Sequence, residues 1–447
     1  MKIIIAGAGA VGTHLAKLLS REHHDITLID ETAEKLESIG ANFDLMTICA
    51  SPSSIEALKD ADVGSADLFI GVTPDEAHNM TCCMLASKLG ARKTVARVDN
   101  SEYIQPEHAE FFKNVGIHSL IYPEMLAGQE IMHNIKRSWV RQWWEFHDGA
   151  LIMLGVKVRE SARILDVPLR ELCGPESPFH VVAVKRRGDT LIPHGNDHIE
   201  CGDVVFFMTT REYVDHIREI AGKQEYPDVK SLFIMGGGHT AVHTVEHMPD
   251  NMHAKIFEAD AKRCERLNEI IDNDHTLVIH GDGRDLDVLV EEGIHTAQAF
   301  VAATDNSEAN ILACLAAKRM GVRKTVAMIE NLDYVNMAES LDIGSILNKK
   351  TLAAGHIYRM MLKADVTTVK SLTVASADVA EFKVHEDSKI TRKPIKDLSL
   401  PGTVTLGGLV RDGKGILING MTQVKAGDTV VAFCLENAIK KIEKYFK

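Results

Sequence analysis

The stretch IAGAGAVG, residues 5–12, follows an isoleucine-rich run and precedes a segment with helical periodicity. In such a turn Gly7 permits the tight bend after a strand, Gly9 lets the backbone approach a pyrophosphate, and Gly12 lets the helix pack close to the strand. The unpaired N–H groups at the start of that helix favour a bound phosphate. A glycine turn between a strand and a helix therefore predicts a dinucleotide-binding site.

A second copy of this pattern begins in the middle of the chain. The stretch IMGGGHTA (234–241) matches the first turn, and ATDNSEANI (303–311) matches VTPDEAHNM (72–80). The runs KTVARVDNSEY and KTVAMIENLDY also correspond. Agreement at so many positions with nearly one offset indicates an internal repeat of a unit of about 220 residues.

Each turn is followed by an acidic residue at the end of the next β-rich run. Asp30 can accept hydrogen bonds from a ribose diol and would repel a 2′-phosphate, which favours NAD(H) over NADP(H). The second turn has Gly236 and Gly238, with the permitted alanine, Ala241, in third place, and Glu258 as its acid. The sequence therefore predicts two nucleotide sites.

Polar residues follow another pair of predicted strands. Thr73 and Thr304 end these strands, and ligands of open α/β sheets bind at strand carboxyl ends. Asn79 and Asn310 lie near the starts of the next helices. Their amides could equally contact a ligand or fix the loop.

Two further differences between the predicted sites concern residues that could contact a ligand. Asp282, in HGDG, could accept a hydrogen bond from an adenine amino group, whereas the first copy has Ser51 there. Arg97 corresponds to Met328. Arg97 could pair with a phosphate, with a carboxylate of a neighbouring domain, or in a surface salt bridge. We therefore expect the sites to differ in ligand or affinity.

Alternation of strands and helices predicts an α/β fold class, with two Rossmann-like doubly wound parallel-sheet domains, each followed by a small α+β lobe. The predicted segments are 1–122 and 230–347 for the nucleotide-binding domains, 123–148 and 348–368 for connecting helices, 149–222 and 369–447 for the small lobes, and 222–230 for the linker between copies. One face of each connecting helix carries a stripe: Met125, Gln129, Met132 and Lys136, or Leu352, His356 and Met360. Such stripes are typical of a core or a helix–helix contact, with a helix crossing to another subunit as the alternative.

The segment HTVEH resembles a helical zinc-protease motif. With His239 before them, His243 and His247 have a spacing that could bind a metal. The expected sheet-facing positions of this helix are Ala241, Val242, Val245 and Met248. We therefore expect the histidines on the opposite, polar face, with no metal site and no catalysis.

Composition narrows the function further. The chain has 447 residues and a formal net charge of −13, which argues against a nucleic-acid or anionic-lipid surface. It has no apolar run long enough for a membrane span and no signal-peptide pattern. The eight cysteines are expected to be small buried hydrophobes in a reducing compartment: Cys49, Cys82, Cys83, Cys173, Cys201, Cys264, Cys314 and Cys434.

The sequence contains no G-x-S-x-G motif, no Walker lysine and no evident cysteine–histidine nucleophile pair. A dehydrogenase normally adds a domain that places an acid/base residue beside the nicotinamide, whereas the lobes here are small. We therefore expect binding without catalysis. The alternative is a soluble NAD-dependent oxidoreductase with an acid/base residue near Thr73.

The ordered motifs GAGAVG, LID, VTPDEAHNM and TVARVDNSEY, with GGGHTA, FEAD, HGDG, ATDNSEAN and TVAMIENLDY in the second copy, resemble those of the TrkA family. The resemblance covers essentially the whole chain. It implies two RCK units, each with a nucleotide-binding TrkA-N (KTN) domain and a TrkA-C lobe. It also implies a cytoplasmic regulatory subunit that gates a separate TrkH-type potassium-translocating membrane subunit and forms a homo-oligomeric ring, typically a tetramer.

The resemblance implies NAD(H) as the ligand, with ATP or ADP as an alternative. Together with the positions given above, it completes a first site of Gly7, Ala8, Gly9, Ala10, Val11, Gly12, Asp30, Thr73, Pro74 and Arg97. The second site then comprises Gly236, Gly237, Gly238, His239, Thr240, Glu258, Asp282, Thr304 and Asp305. Nucleotide binding is expected to change the shape of the ring and thereby the gate.

Overall fold

The computed structural model describes residues 1–20, 24–174, 176–226, 228–361, 366–372, 377–435 and 438–446. These residues form two six-stranded parallel sheets and two five-stranded antiparallel sheets. The parallel and antiparallel sheets alternate along the chain, and the second half repeats the strand order of the first. The predicted fold class is confirmed.

The first α/β domain forms around one parallel sheet. Its strands are β1 Lys2–Ala6, β2 Asp25–Asp30, β3 Met46–Cys49, β4 Leu68–Gly71, β5 Thr94–Arg97 and β6 Ser119–Ile121, and its helices are α1 Ala10–Ser20, α2 Ala33–Gly40, α3 Ile55–Asp60, α4 Glu76–Lys88 and α5 Ala109–Asn114. The order is β3-β2-β1-β4-β5-β6. Central parallel strands are covered on both faces, and Ile3, Ile4 and Ile5 of β1 are fully buried. The order reverses between β1 and β4, which places a crevice at their carboxyl ends, where the glycine turn begins.

After the connecting helix α6 Pro123–Ile135, the first small lobe forms an antiparallel sheet. Its elements are β7 Gln142–Phe146, β8 Leu151–Lys157, α7 Leu169–Leu172, β9 Phe179–Arg186, β10 Asp189–Leu191, β11 Val204–Thr209 and α8 Val214–Ile220. The order is β10-β9-β11-β8-β7. Arg186 forms an ion pair with the buried Asp203, whose exposed fraction is 2%. This pair ties β9 to the turn before β11.

The second α/β domain repeats the first. Its strands are β12 Ser231–Met235, β13 His253–Glu258, β14 Thr276–His280, β15 Ala299–Ala302, β16 Lys324–Met328 and β17 Ser345–Leu347, and its helices are α9 His239–Glu246, α10 Ala261–Ile270, α11 Leu286–Glu291, α12 Ser307–Arg319 and α13 Val335–Ser340. The order β14-β13-β12-β15-β16-β17 reverses between β12 and β15. The second glycine turn therefore also begins at a crevice.

The second small lobe follows helix α14 Lys349–Met361. Its elements are β18 Val366–Leu372, β19 Ala377–Lys383, β20 Val404–Arg411, β21 Lys414–Leu417, β22 Thr429–Leu435 and α15 Ile439–Glu443, in the sheet order β18-β19-β22-β20-β21. Arg411 pairs with the buried Asp428, as Arg186 pairs with Asp203 in the first lobe. This shared ion pair fixes the correspondence between the two lobes.

The faces of the two antiparallel sheets pack against each other in one hydrophobic core. The rings of Phe206 and Phe433 lie 6.0 Å apart between centroids. Gly407 permits the close approach, because a Cβ at this position would lie 2.8 Å from Cε of Met208. The sequence predicted each lobe but not this shared core.

The described chain forms two compact units. One contains residues 1–127 and 349–361, and the other contains residues 128–348 and 362–447. In the first unit α14, the connecting helix of the second copy, packs on α1, and Nζ of Lys349 lies 3.3 Å from Oε1 of Glu124. Helix α14 is thus packed against the helix that begins at the first glycine turn.

In the second unit, residues 128–135 of the first copy's connecting helix α6 belong with the second copy. Gly128 lies against α9, since a Cβ there would be 2.7 Å from the carbonyl carbon of His243. Nε2 of Gln129 lies 3.3 Å from Nε2 of His247. The connecting helices therefore make helix–helix contacts, each with the glycine-turn helix of the other copy.

The domain boundaries derived from the sequence stay predictions. Several predicted segments include residues outside the described ones, namely 21–23, 175, 227, 362–365, 373–376, 436–437 and 447. The expected burial of the cysteines is confirmed for Cys82, Cys83, Cys264, Cys314 and Cys434, and Cys173 is partly buried. It was wrong for the exposed Cys49 and Cys201.

Candidate nucleotide sites

The first glycine turn is shaped by close backbone approaches. Gly7 has a φ of +110°, and a Cβ there would lie 2.9 Å from the backbone nitrogen of Thr73. A Cβ on Gly12 would overlap the carbonyl oxygen of Gly7. At Gly9, in contrast, no atom of the described residues lies within 4 Å of an added Cβ. Gly7 and Gly12 are needed by the fold itself, and Gly9 keeps space open.

Asp30 braces this turn. Its Oδ2 accepts a hydrogen bond from the N–H of Ala8 at 2.6 Å, and its Oδ1 accepts one from the N–H of Thr32 at 2.8 Å. Partial burial opposes ionisation of Asp30, but these two hydrogen bonds outweigh it and lower the pKa of the carboxyl group. The carboxylate is therefore charged at neutral pH and holds the turn. A contact with ribose would add to these bonds and stays a prediction.

Asn79 fixes the neighbouring strand ends. Its Oδ1 accepts hydrogen bonds from N and Oγ1 of Thr73 at 2.7 and 2.8 Å, and its Nδ2 donates to the carbonyls of Thr73 and Arg97. Asn310 makes the same set with Thr304 and the carbonyl of Met328. Both asparagines are buried. Of the two roles left open by the sequence, the structure supports loop fixation.

Arg97 lies at the carboxyl end of β5 and is partly exposed. Its Nη2 lies 2.9 Å from Oδ1 of Asp99, in the same domain. Its Nε is buried and has no hydrogen-bond partner among the described residues. A buried, unsatisfied donor at a crevice is suited to an anionic oxygen. Pro74, by contrast, is an exposed loop residue after β4.

The second glycine turn lies on a cleft of about 560 Å³. Seven of the nine predicted residues line it: Gly236, Gly237, Gly238, Glu258, Asp282, Thr304 and Asp305. The other two do not line the cleft: Thr240 is buried in α9, and His239 is exposed at its start. The structure thus brings most of the predicted second site together.

Glu258 braces the second turn as Asp30 braces the first. Its two carboxylate oxygens accept hydrogen bonds from the N–H groups of Gly237 and Asp260, at 3.0 and 2.9 Å. The longer glutamate needs more room. A Cβ on Gly237 would contact the side chains of Leu267 and Glu258, whereas the first copy has Ala8 at this position. The two differences between the copies, Asp30 against Glu258 and Ala8 against Gly237, are therefore coupled.

The second cleft contains arginines that the sequence analysis missed. Arg284 donates to both carboxylate oxygens of Asp282, with its Nη2 2.7 Å from Oδ2. These hydrogen bonds lower the pKa of Asp282. Arg263 also lines the cleft, 3.7 Å from Glu258. The sequence could have indicated Arg284, because it directly follows the HGDG motif. The second site therefore has cations although Met328 replaces Arg97. An adenine contact by Asp282 stays a prediction.

The three histidines were expected on the polar face of α9 opposite the sheet, but His243 is buried. Its side chain is buried against Gly128, and its Nδ1 lies 2.6 Å from Oε2 of Glu246. Of the four positions expected to face the sheet, Ala241 and Val245 are buried, and Val242 and Met248 are partly exposed. Among the described residues, no group of three His, Cys, Asp or Glu side chains is arranged to hold a metal ion.

Fold and sites together define a class of protein in which two Rossmann-type domains, each with a glycine turn braced by an acid, are joined to paired antiparallel lobes. In the part of the chain that the structure describes, no helix is long and apolar enough to cross a membrane. The TrkA-N domain family matches residues 3–123 and 232–349, and the TrkA-C domain family matches residues 153–222 and 379–447. The chain belongs to the TrkA family.

Known proteins agree with this assignment over the full length. The Trk system potassium uptake protein TrkA of Halomonas elongata is 31% identical, covering 100% of this chain and 99% of its own. The crystal structure of the GsuK RCK domain has a TM-score of 0.61 at 16% identity, covering 100% of this chain and 94% of that one. The GsuK channel bound to NAD has a TM-score of 0.59 at 15% identity, covering 100% and 78%. At these identities the structural likeness shows the fold.

Proposed function

We propose that this chain is the cytoplasmic, nucleotide-sensing regulatory subunit of a potassium-uptake system. It gates a separate TrkH-type membrane subunit and assembles with further copies into a ring, which we take to be a tetramer. Support comes from membership in the TrkA family and from full-length relatives that are named as Trk system potassium uptake proteins.

NAD(H) is the proposed ligand of the first site, with ADP or ATP as the alternative. The open space at Gly9 fits a pyrophosphate, and the unsatisfied Nε of Arg97 fits an anionic oxygen. The ionised Asp30 disfavours a 2′-phosphate. In the second site Gly238 also leaves space for a Cβ, and Arg263 and Arg284 supply positive charge. Both sites are therefore proposed to bind, with different preferences.

The surroundings of Thr73 favour regulation over an oxidoreductase. The carboxylate of Asp75 accepts the N–H of His78 at the start of α4, and the carboxylate of Glu76 accepts the N–H groups of Asp99 and Asn100. Asn79 is used in fixing the loop. These polar groups act on backbone rather than facing a reacting atom, which supports a binding site without catalysis.

One observation carries the proposed mechanism: each glycine-turn helix packs against the connecting helix of the other copy. The N-terminus of α1 holds the pyrophosphate, so binding favours one position of α1 and of α14 packed on it. The same relation holds between α9 and α6. A ligand shifts the conformation only if its affinity differs between the two states. The connecting helices then transmit that preference to the lobes and to the gate.

The test uses two valine variants. Gly9→Val and Gly238→Val place a side chain in the space predicted for the pyrophosphate, where no described atom lies within 4 Å of an added Cβ. Gly402→Val is the matched control, because Gly402 also has open space around it, far from either turn in sequence. We expect calorimetry to show loss of one nucleotide site for each variant but not for the control. Potassium flux through liposomes that contain the membrane subunit should lose its nucleotide response.

Two outcomes would contradict the proposal. A flux response that persists when both turns no longer bind nucleotide would remove the proposed input. Turnover of NADH with a metabolite by the isolated chain, abolished by Gly9→Val, would instead support the oxidoreductase.

A further inference from the structure

A second cavity lies away from both glycine turns, where the first small lobe meets the second α/β domain. Its volume is about 610 Å³, within the range of small-molecule pockets. Strands β8 to β11 and the turns between them form one wall, and α13 with β17 forms the other. Four cationic side chains line it: Arg141, Lys157, Lys185 and Arg187.

The charges around this cavity are unbalanced. Asp342, in the turn between α13 and β17, is contacted by Arg141, by Lys157 at 2.8 Å and by Arg159 at 2.7 Å. Lys318 lies 3.5 Å from the same carboxylate. Four cations therefore share one acid, and repulsion among them is only partly relieved.

The lining has little further negative charge. Lys185 is paired with Glu339 at 2.8 Å, and the cavity also touches Asp189. Arg187 has a side chain that is 88% exposed, and its nearest acid, Glu200, is 4.0 Å away. An anion in the cavity could therefore pair with Arg187, which has only a distant acid, and with cations that share the single carboxylate of Asp342.

The lysines near the cavity show the effect of this excess. Burial and then the charges of Arg159 and Arg141 lower the pKa of Lys223 to about 8. Burial and then Arg141 and Lys318 lower the pKa of Lys324 to about 7. A bound anion would relieve this repulsion and raise both values.

The other copy keeps one of the four cations, because the matching backbone hydrogen bonds Val158–Asp203 and Val384–Asp428 align Lys157 with Lys383. It lacks the charges that correspond to Lys185, Arg187 and Asp342. When the two copies are aligned on the shared ion pairs Arg186–Asp203 and Arg411–Asp428, Lys185 corresponds to Val410 and Arg187 to Asp412. Alignment of the two copies on their strand pairing likewise makes Asp342 correspond to Gly116. The repeat fold therefore does not require Lys185, Arg187 or Asp342, which are specific to this one junction.

We propose that this cavity is an additional ligand site, which takes a small phosphate-bearing anion held by Arg141, Lys157, Lys185 and Arg187. The site joins β8 and β9 of the lobe to α13 of the α/β domain, so its ligand stiffens this junction. It is independent of the nucleotide clefts, and it goes beyond the function proposed above.

The test uses the full chain carrying Gly9→Val and Gly238→Val, so that neither glycine turn contributes binding. Inorganic pyrophosphate and ADP are titrated separately by calorimetry at low salt, because screening weakens such contacts. Arg187→Gln should weaken binding about fivefold, the effect of one charge-assisted contact. Glu339→Gln removes negative charge from the lining and should tighten binding about fivefold. Arg163→Gln is the control and should change nothing, because Arg163 is also largely exposed but pairs with Glu219 outside the cavity.

A gain in affinity cannot result from misfolding, so Glu339→Gln keeps the test decisive. If both probes follow this pattern and ADP binds more tightly, the ligand is a nucleotide. If pyrophosphate alone follows it, the phosphate group is recognised without a base. Equal affinities in Arg187→Gln, Glu339→Gln and Arg163→Gln, or no binding of either probe, would overturn the proposal, while leaving the glycine-turn sites untouched.

Discussion

The glycine turns of the two copies differ in how an acid, a small residue and a cation are combined. In the first copy Asp30 accepts a hydrogen bond from the N–H of Ala8, and the cation is Arg97 at the end of β5. In the second copy the longer Glu258 reaches the N–H of Gly237, and the cations come from Arg263 and Arg284. The comparison teaches that one brace can be kept with different side chains if neighbouring positions compensate. It also predicts which substitutions each copy tolerates.

The largest difference is expected at the third position of the turn. Gly12→Ala places a Cβ against the carbonyl oxygen of Gly7, and we expect it to lower the free energy of unfolding by about 3 kcal/mol. The second copy already has alanine there, and Ala241→Gly should cost about 1 kcal/mol through helix propensity. Urea denaturation of both variants measures this contrast. Equal losses would mean that the two turns have the same geometry.

The next largest effect concerns the acids. Asp30→Asn keeps the size of the side chain but replaces one of the two oxygens that accept hydrogen bonds from the N–H groups of Ala8 and Thr32. The turn therefore loses one of these bonds and loosens. We expect nucleotide affinity of the first site to fall about tenfold, with the second site unchanged. Glu258→Gln should produce the converse result. Calorimetry that resolves both sites checks this, and a loss at both sites from either variant would show that the sites are coupled.

A smaller, pH-dependent effect separates two corresponding lysines. Lys324 is buried, and donates to the carbonyl of Val140 and to Ser345, whereas Lys93 is exposed. Because burial and nearby cations lower the pKa of Lys324 to about 7, the unfolded chain binds more protons between about pH 7 and 10. Stability should therefore rise with pH there, by at most about 1.4 kcal/mol for each pH unit.

The control for this slope lies in the other copy. Lys324→Met should flatten the rise in unfolding midpoint between pH 7 and pH 9, and Lys93→Met should leave it as in the parent chain. A slope that survives Lys324→Met would assign the titration to another group.

The smallest effect is expected from the arginines. Arg97→Gln should weaken binding at the first site about fivefold, and Arg284→Gln should do so at the second, since each removes one charge near a phosphate. Titration with NADH and with ADP tests both. An unchanged second site would exclude Arg284 as a ligand contact.

The sequence predicted the positions of these sites better than the partners of their side chains. Each glycine turn lies between a strand and a helix, as the local pattern predicted, because few backbone conformations fit such a turn. That the acids brace the turn was not predicted, since Asp30 and Ala8 are 22 residues apart. The asparagines were ambiguous, since an amide after a strand can face a loop or a ligand, and only their four hydrogen bonds decide this. His243 was misplaced because the helix that covers it, at Gly128, comes from the other copy.

The sequence by itself determined the repeat, the alternation of strands and helices in the α/β domains and the two glycine turns, because these depend on local periodicity and on residues that only particular backbone conformations accept. The tertiary structure decided which connecting helix packs on which turn, how the lobes share a core, and which lysine of a matched pair is buried. These features depend on contacts between segments about 200 residues apart, such as Arg141 with Asp342. No local pattern records such contacts, and the cationic cavity is formed by them alone.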